Sequence, residues 1–131
     1  MKKTTQTLPA DDTILAELDA ILRQRRDSAD AAASYVAQLH SKGLNKILEK
    51  IGEEATETLL AARDLQEVTS CDNESHLAKT EALVGEVADL WFHSMVMLSH
   101  FNLNTSDVIR ELGQRMGVSG IAEKASRSSE T

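Results

Sequence analysis

The sequence predicts an all-α domain of four to five helices, and three observations carry that prediction. Aromatic residues make up only 3% of the 131 positions, and the one proline, Pro9, stands near the N-terminus. A sheet would draw on aromatic and β-branched side chains, whereas long proline-free stretches suit helices. Apolar residues also recur at helical spacing: Leu44, Ile47, Leu48, Ile51, Ala55 and Leu59 follow the i, i+3, i+4 pattern. A chain of this length is most simply one domain with a modest core. No repeat of solenoid period is visible.

Residues 1–10 are polar and are expected to lack fixed structure. Asp11, Asp12 and Thr13 offer N-caps for a first helix with Ile14, Leu15, Leu18, Ile21 and Leu22 on its apolar face. Arg23-Gln24-Arg25-Arg26 closes it, where cations suit the helix dipole. Asp27 to Ala33 is a boundary of small and polar residues. Ser34 is the expected N-cap of a short helix, Tyr35 to about Ser41. Lys42-Gly43 is its C-cap, glycine taking the left-handed conformation most cheaply.

The central helix is expected from Leu44 to about Leu65. Gly52 lies inside it at a cost of roughly 1 kcal/mol relative to alanine. Beside paired glutamates it suggests close approach of another backbone or a ligand, with a merely tolerated glycine as the competing reading. Glu67 to Ser75 is a polar connection into the longest helix, about Ser75 to His100. From Leu83 onward this helix is apolar almost all round, through Val84, Val87, Leu90, Trp91, Phe92 and Met95 to Leu98, so it is expected to be buried on most sides. Phe101 to Asn104 is a loop, and Asn104 or Thr105 caps a last helix through Met116. The domain is therefore placed at 11–116, with 117–131, rich in Gly and Ser, as a partly mobile tail. A four-helix core needs more apolar surface than one such chain comfortably supplies. Two chains are expected to complete it as a homodimer.

The formal charge of -7 argues against a nucleic-acid-binding surface, which usually shows a basic footprint. Cys71 is the single cysteine, so no intramolecular disulfide is possible, which fits a reducing cytoplasm. No signal core follows the N-terminal lysines, and no apolar run reaches membrane-spanning length. A soluble cytoplasmic protein without nucleic-acid or membrane partners is expected.

Lys46, Lys50, Glu53, Glu54 and Glu57 are read as a charged face roughly opposite the apolar stripe of the central helix. Such a face is either solvated surface or a metal site. On the later helix Glu86, Asp89 and His93 share one stripe among apolar residues, with His100 two turns further on. A lone buried acid is more often part of a structural ion pair than of a site. Two i, i+3 pairs, Glu54-x-x-Glu57 and Glu86-x-x-Asp89, change that balance. If the two helices pack antiparallel, the pairs can face each other, and four facing carboxylates would retain protons at neutral pH unless a cation lay between them.

An oxygen-only set favours Mg²⁺, with Mn²⁺ as a substitute. Di-iron bundles use Glu-x-x-His pairs, and no Glu here is followed three positions later by His. Mg²⁺ on a few carboxylates, keeping some of its waters, is the usual arrangement for polyphosphate. Lys46 and Lys50 stand where they could take phosphate oxygens. Their plain role is ion pairing along the helix, Lys50 with Glu54, worth a few tenths of a kcal/mol. The residue types and spacing point to metal-assisted hydrolysis of a phosphoanhydride.

Those residues also carry a resemblance. The stretch from Ser34-Tyr35 through Lys42-Gly43 to Lys50-Ile51-Gly52-Glu53-Glu54-Ala55-Thr56-Glu57 closely resembles the phosphoribosyl-ATP pyrophosphatase family. Glu86-Val87-Ala88-Asp89-Leu90-Trp91-Phe92-His93 is similar to that family's second acidic helix, and Ser119 to Arg127 to a tail seen in many members. The resemblance covers about Leu15 to Arg127. Paired acidic motifs alone indicate only the wider all-α nucleotide pyrophosphohydrolase (MazG-like) superfamily; the Ser-Tyr and Lys-Gly segment is what points to this family. Trp91-Phe92 stands where Leu-Tyr is expected, and Asn45 where Asp is common. Neither departure removes a carboxylate.

The resemblance implies a MazG-like helical bundle completed by dimerisation. It implies Mg²⁺-dependent hydrolysis of phosphoribosyl-ATP to phosphoribosyl-AMP and diphosphate, the second step of histidine biosynthesis. Glu53, Glu54, Glu57, Glu86 and Asp89 are the expected catalytic carboxylates, and Glu54, Glu57, Glu86 and Asp89 the expected metal ligands. Glu53 is expected beside them, as a further ligand or as the group that orients the attacking water. Lys46 and Lys50 would bind phosphates. Ser34, Tyr35 and His93 are expected as further substrate contacts, against the plainer roles of N-cap, core anchor and satisfied buried histidine.

Arg23, Arg25, Arg26 and Arg127 are weighed as partners for the substrate's 5′-phosphate, with solvated helix ends the stronger reading. Trp91 and the methionines are core or dimer contacts by default. Many members are fused to the cyclohydrolase of the next step. No cysteine set for its zinc stands here, so the stand-alone form is expected. Two other functions compete: a MazG-like pyrophosphohydrolase acting on other nucleoside triphosphates, and a non-catalytic helical dimer whose acidic face serves solubility.

Overall fold

A computed structural model describes residues 13–28, 30–68 and 73–117. Among them the chain forms five α-helices and no strand: α1 Ile14–Asp27, α2 Tyr35–Lys42, α3 Leu44–Glu67, α4 Asn73–His100 and α5 Thr105–Met116, with a 3₁₀ turn at Ala31–Ala33. The expected all-α class and the order of helices hold. Pro9, Asp11, Asp12, Cys71, Arg127 and the expected tail beyond Gly117 lie outside the described residues.

Local chemistry sets most of the boundaries. Ser34 adopts extended backbone and its Oγ accepts the Ala37 N–H at 3.0 Å, starting α2. Gly43 ends it at φ +93, its N–H donating to the carbonyls of Leu39 and His40. A side chain is strained at that φ, so glycine is required there. Asn104 and Asp107 close a reciprocal capping box at the start of α5. A second cap on α5 comes from far away in sequence. The Asp19 carboxylate of α1 accepts from the Thr105 N–H at 3.1 Å and from the Thr105 hydroxyl.

α3 and α4 form the longest interface and pack antiparallel. As numbers rise along α3 they fall along α4: Ile47 shares the core with Met95 and Val96, Glu54 meets His93, and Glu57 meets Glu86. α1 and α2 cover one end of this hairpin, and α5 leans on α1. The fully buried centre is Leu22, Leu39, Ile47 and Val96, with Leu15, Leu18, Ile51, Phe92 and Met97 packed round it. Truncating Ile47 or Leu22 to alanine there should cost about 2–5 kcal/mol.

Three expectations need correction. Glu54 does not lie opposite the apolar stripe: it is 7% exposed. Seven residues on a helix return to within about 20° of the starting direction, so Glu54 shares the inward line of Ile47. The outer part of the predicted stripe turns away instead, leaving Leu59 exposed. Second, α4 is not buried on most sides in one chain, for Val84 and Trp91 are 64% and 61% exposed. α3 is its main neighbour, and one neighbour covers one face. Third, no backbone of this chain approaches Gly52: a Cβ built there meets nothing within 4 Å.

Candidate active site: carboxylates between the long helices

Glu54, Glu57 and Glu86 bring one carboxylate oxygen each to within 4.8 Å of one another. α3 supplies two of them one turn apart, and α4 the third from the facing helix. Burial falls from Glu54, which is inside, through the half-buried Glu86 to the exposed Glu57, so the cluster opens outward. Glu54 Oε2 and Glu86 Oε2 are both buried and have no hydrogen-bond partner. An unpaired buried carboxylate oxygen is costly, and two beside each other more so.

The electrostatics follow from that crowding. Burial raises the Glu54 carboxyl above its ordinary value of 4.5, and the charges of Glu57 and Asp89 push it further. For Glu86 the contact with Glu57 comes first, then burial, in the same direction. Both groups resist ionisation because burial and the neighbouring carboxyl groups outweigh the Lys50 charge that acts the other way on Glu54. Asp89 lies outside the tight cluster, yet its charge acts on both glutamates, so it stands at the margin of the same site.

Glu53 has different surroundings. Its carboxylate takes the Lys50 ammonium at 2.8 Å, which holds Glu53 below and Lys50 above their ordinary ranges. Lys50 therefore pairs with Glu53 at i, i+3 and not with Glu54 at i, i+4 as expected. Lys46 likewise pairs with Glu49 at 3.2 Å. These are surface pairs worth at most about 1 kcal/mol, weak enough to be exchanged for a phosphate.

Tyr35 and His93, 58 positions apart, meet at the inner edge of the cluster. His93 is 5% exposed. Its Nδ1 lies 2.9 Å from the Asp89 carbonyl oxygen, and its Nε2 lies 2.9 Å from the Tyr35 hydroxyl. A carbonyl only accepts, so Nδ1 carries hydrogen, and on the neutral ring Nε2 accepts from Tyr35. Nδ1 is also 3.9 Å from Glu54 Oε1. Phe92, at the position of one departure from the family pattern, packs near-parallel to Tyr35 and edge-on to His93. Sequence spacing hinted at none of the Tyr35 contact; only the i, i+4 relation of Asp89 and His93 was visible.

Ser34 uses its hydroxyl oxygen at the α2 cap. Arg26 is engaged away from the cluster, donating to the Ser99 carbonyl at 2.6 Å and to Asn102 and Asp27. On the opposite face of α4 an apolar groove of about 390 Å³ runs between Trp91, Met95, Leu98, Val108, Ile109 and Leu112. It offers no charge to a phosphate.

Comparison with known proteins agrees with the geometry. Residues 15–116 match the family described as phosphoribosyl-ATP pyrophosphohydrolase. A phosphoribosyl-ATP pyrophosphatase of Hydrogenovibrio crunogenus is 50% identical over 115 residues, covering 88% of this chain and 93% of the relative. One from Burkholderia cenocepacia is 50% identical over 121 residues, 92% of this chain and 91% of the relative. The match spans both acidic helices and the α2 segment that carries Tyr35. The chain belongs to the phosphoribosyl-ATP pyrophosphohydrolase family.

Proposed function

We propose that this chain hydrolyses phosphoribosyl-ATP to phosphoribosyl-AMP and diphosphate, the second step of histidine biosynthesis. The observation that carries the reading is the pair of buried, unpartnered carboxylate oxygens on Glu54 and Glu86, converging with Glu57 in a chain of this family. An all-oxygen set of this kind fits Mg²⁺, with Mn²⁺ as substitute. Glu54, Glu57 and Glu86 would hold the cation, with Asp89 drawn in from the margin. Bound there, a divalent cation neutralises phosphate charge and the charge that builds on the leaving diphosphate.

The chain's own groups do the rest. Lys50 and Lys46 exchange exposed glutamate partners for phosphate oxygens, so they contribute to substrate affinity more than to turnover. Glu53, freed from Lys50 at that moment, would orient water. The water oxygen bonds to phosphorus, the anhydride P–O bond breaks, and a carboxylate takes the water's proton. Tyr35 reaches the edge of the cluster through His93, and Ser34 caps the helix that carries it.

A homodimer in the cytoplasm is part of the proposal. Its support is the exposure of large apolar side chains along both long helices, Leu59, Leu60, Leu77, Val84 and Trp91. No helix among the described residues is long and apolar enough to cross a membrane.

Diphosphate release with Mg²⁺ from phosphoribosyl-ATP, beside a panel of ordinary nucleoside triphosphates, tests the reading. Release from phosphoribosyl-ATP in clear preference is expected. Release only from the panel would make the chain a general pyrophosphohydrolase, and release from neither would leave a helical protein without this activity.

A further inference from the structure

We propose that Tyr35 and His93 are positioning residues for the cation-binding carboxylates, acting as a hydroxyl–imidazole–carbonyl chain that sets the α4 turn bearing Asp89 and the orientation of Glu54. The inference rests on the reading of Glu54, Glu57 and Glu86 as the cation site. It starts from a mismatch of exposure. Tyr35 is about half exposed, yet its hydroxyl reaches inward to an imidazole that is almost completely buried.

On the neutral imidazole each link has one direction. The Tyr35 O–H donates to His93 Nε2 at 2.9 Å, and His93 Nδ1–H donates to the Asp89 carbonyl at 2.9 Å. With both nitrogens spent inside the protein, His93 has no ring nitrogen over for a substrate atom. What it presents to the site is its N–H edge, 3.9 Å from Glu54 Oε1. That is beyond hydrogen-bond range but close enough to favour one carboxylate orientation, with Oε1 towards the imidazole and Oε2 left without a partner.

The ring would not hold that edge by itself. Turned over, an imidazole offers carbon where nitrogen stood, and the bond made by one nitrogen decides which state the other holds. Tyr35 supplies that bond. Phe92, edge-on to His93 at 5.3 Å, limits the ring's freedom further. Outer partners of this kind commonly change cation affinity by about 10–100-fold when removed. The arrangement also joins α2, α3 and α4.

The test is Mn²⁺ binding to the full chain without substrate, followed by electron paramagnetic resonance of the free ion. Tyr35→Phe keeps the ring and its packing on Phe92 while removing the donor. It should weaken Mn²⁺ binding about tenfold with the helical circular dichroism retained. His93→Asn should weaken it similarly, and the double variant no more than the worse single, because one chain is being broken twice. His93→Phe, which keeps a ring and removes both links, is read in place of Asn should the latter lose helicity, with the same weakening expected.

Unchanged Mn²⁺ affinity in Tyr35→Phe overturns the inference. So does unchanged affinity joined to a raised KM for phosphoribosyl-ATP, which would make Tyr35 a direct substrate contact. Absence of Mn²⁺ binding in the wild type would sink the cation site itself, and is told apart from both.

Discussion

Two polar regions of this small protein have opposite accounts. At the junction of α1, α4 and α5, the buried groups find partners: Asp19 accepts from the Thr105 amide and hydroxyl, and the Ser99 carbonyl from Arg26. Between α3 and α4, two buried carboxylate oxygens find none. The first region needs nothing more to be stable. The second is crowded with like charge that only protons or a cation relieve. Polar burial that is satisfied holds a fold together, and polar burial left open supports the proposal that a cation sits there.

The sharpest way to break the contrast is substitution within the open region. Glu54→Gln and Asp89→Asn should each lower Mg²⁺-dependent diphosphate release by at least about a hundredfold, more than partners outside the cation site usually cost. The helical spectrum should persist, because Gln relieves buried repulsion. Near-normal turnover in either variant would mean that other carboxylates do the work.

Lys50→Ala tests the rim. Its exposed pair with Glu53 contributes little to folding, so the melting temperature should hardly move. KM for phosphoribosyl-ATP should rise about tenfold, with kcat within a few-fold, if the lysine binds phosphate in ground and transition states alike. A fall in kcat at constant KM would reverse that role.

The satisfied region should behave the other way. Asp19→Ala strips Thr105 of its cap and should cost about 1–3 kcal/mol in denaturant unfolding, leaving turnover per folded molecule unchanged. Smallest is Gly52→Ala, expected to add roughly 0.5–1 kcal/mol, since the helix is unstrained there and an added Cβ meets nothing. Lost activity without lost stability in Gly52→Ala would restore the reading that a ligand approaches this glycine.

Much of this could be read from the chain, and what could not has identifiable causes. Ser34, Gly43 and Asn104 act on backbone groups three or four residues away, so helix boundaries were legible. The two i, i+3 acid pairs were legible for the same reason. The inward turn of Glu54 was not, because an apolar stripe drawn through Leu48 and Leu59 pointed the helix the wrong way. Lys50 had acids at both i+3 and i+4, and spacing alone does not choose between them. Tyr35 to His93 and Asp19 to Thr105 are joined only by the packing of whole helices, which no local pattern records. The apolar ring of α4 predicts burial, whereas one chain covers only part of it.

The open carboxylates also set a dependence on pH. Both Glu54 and Glu86 are raised, so the folded state binds protons more tightly than the unfolded one. Without metal, their contribution to stability is full below the ordinary 4.5 and is lost as pH rises through the higher folded values. A cation that replaces the protons should return it. The most direct measurement is therefore thermal unfolding at pH 7 with rising Mg²⁺, wild type beside Glu54→Gln. The melting temperature of the wild type should climb with Mg²⁺, by about 2.7 kcal/mol of stability at a hundred times the dissociation constant, while Glu54→Gln stays nearly flat. A wild-type melting temperature indifferent to Mg²⁺ would contradict the account.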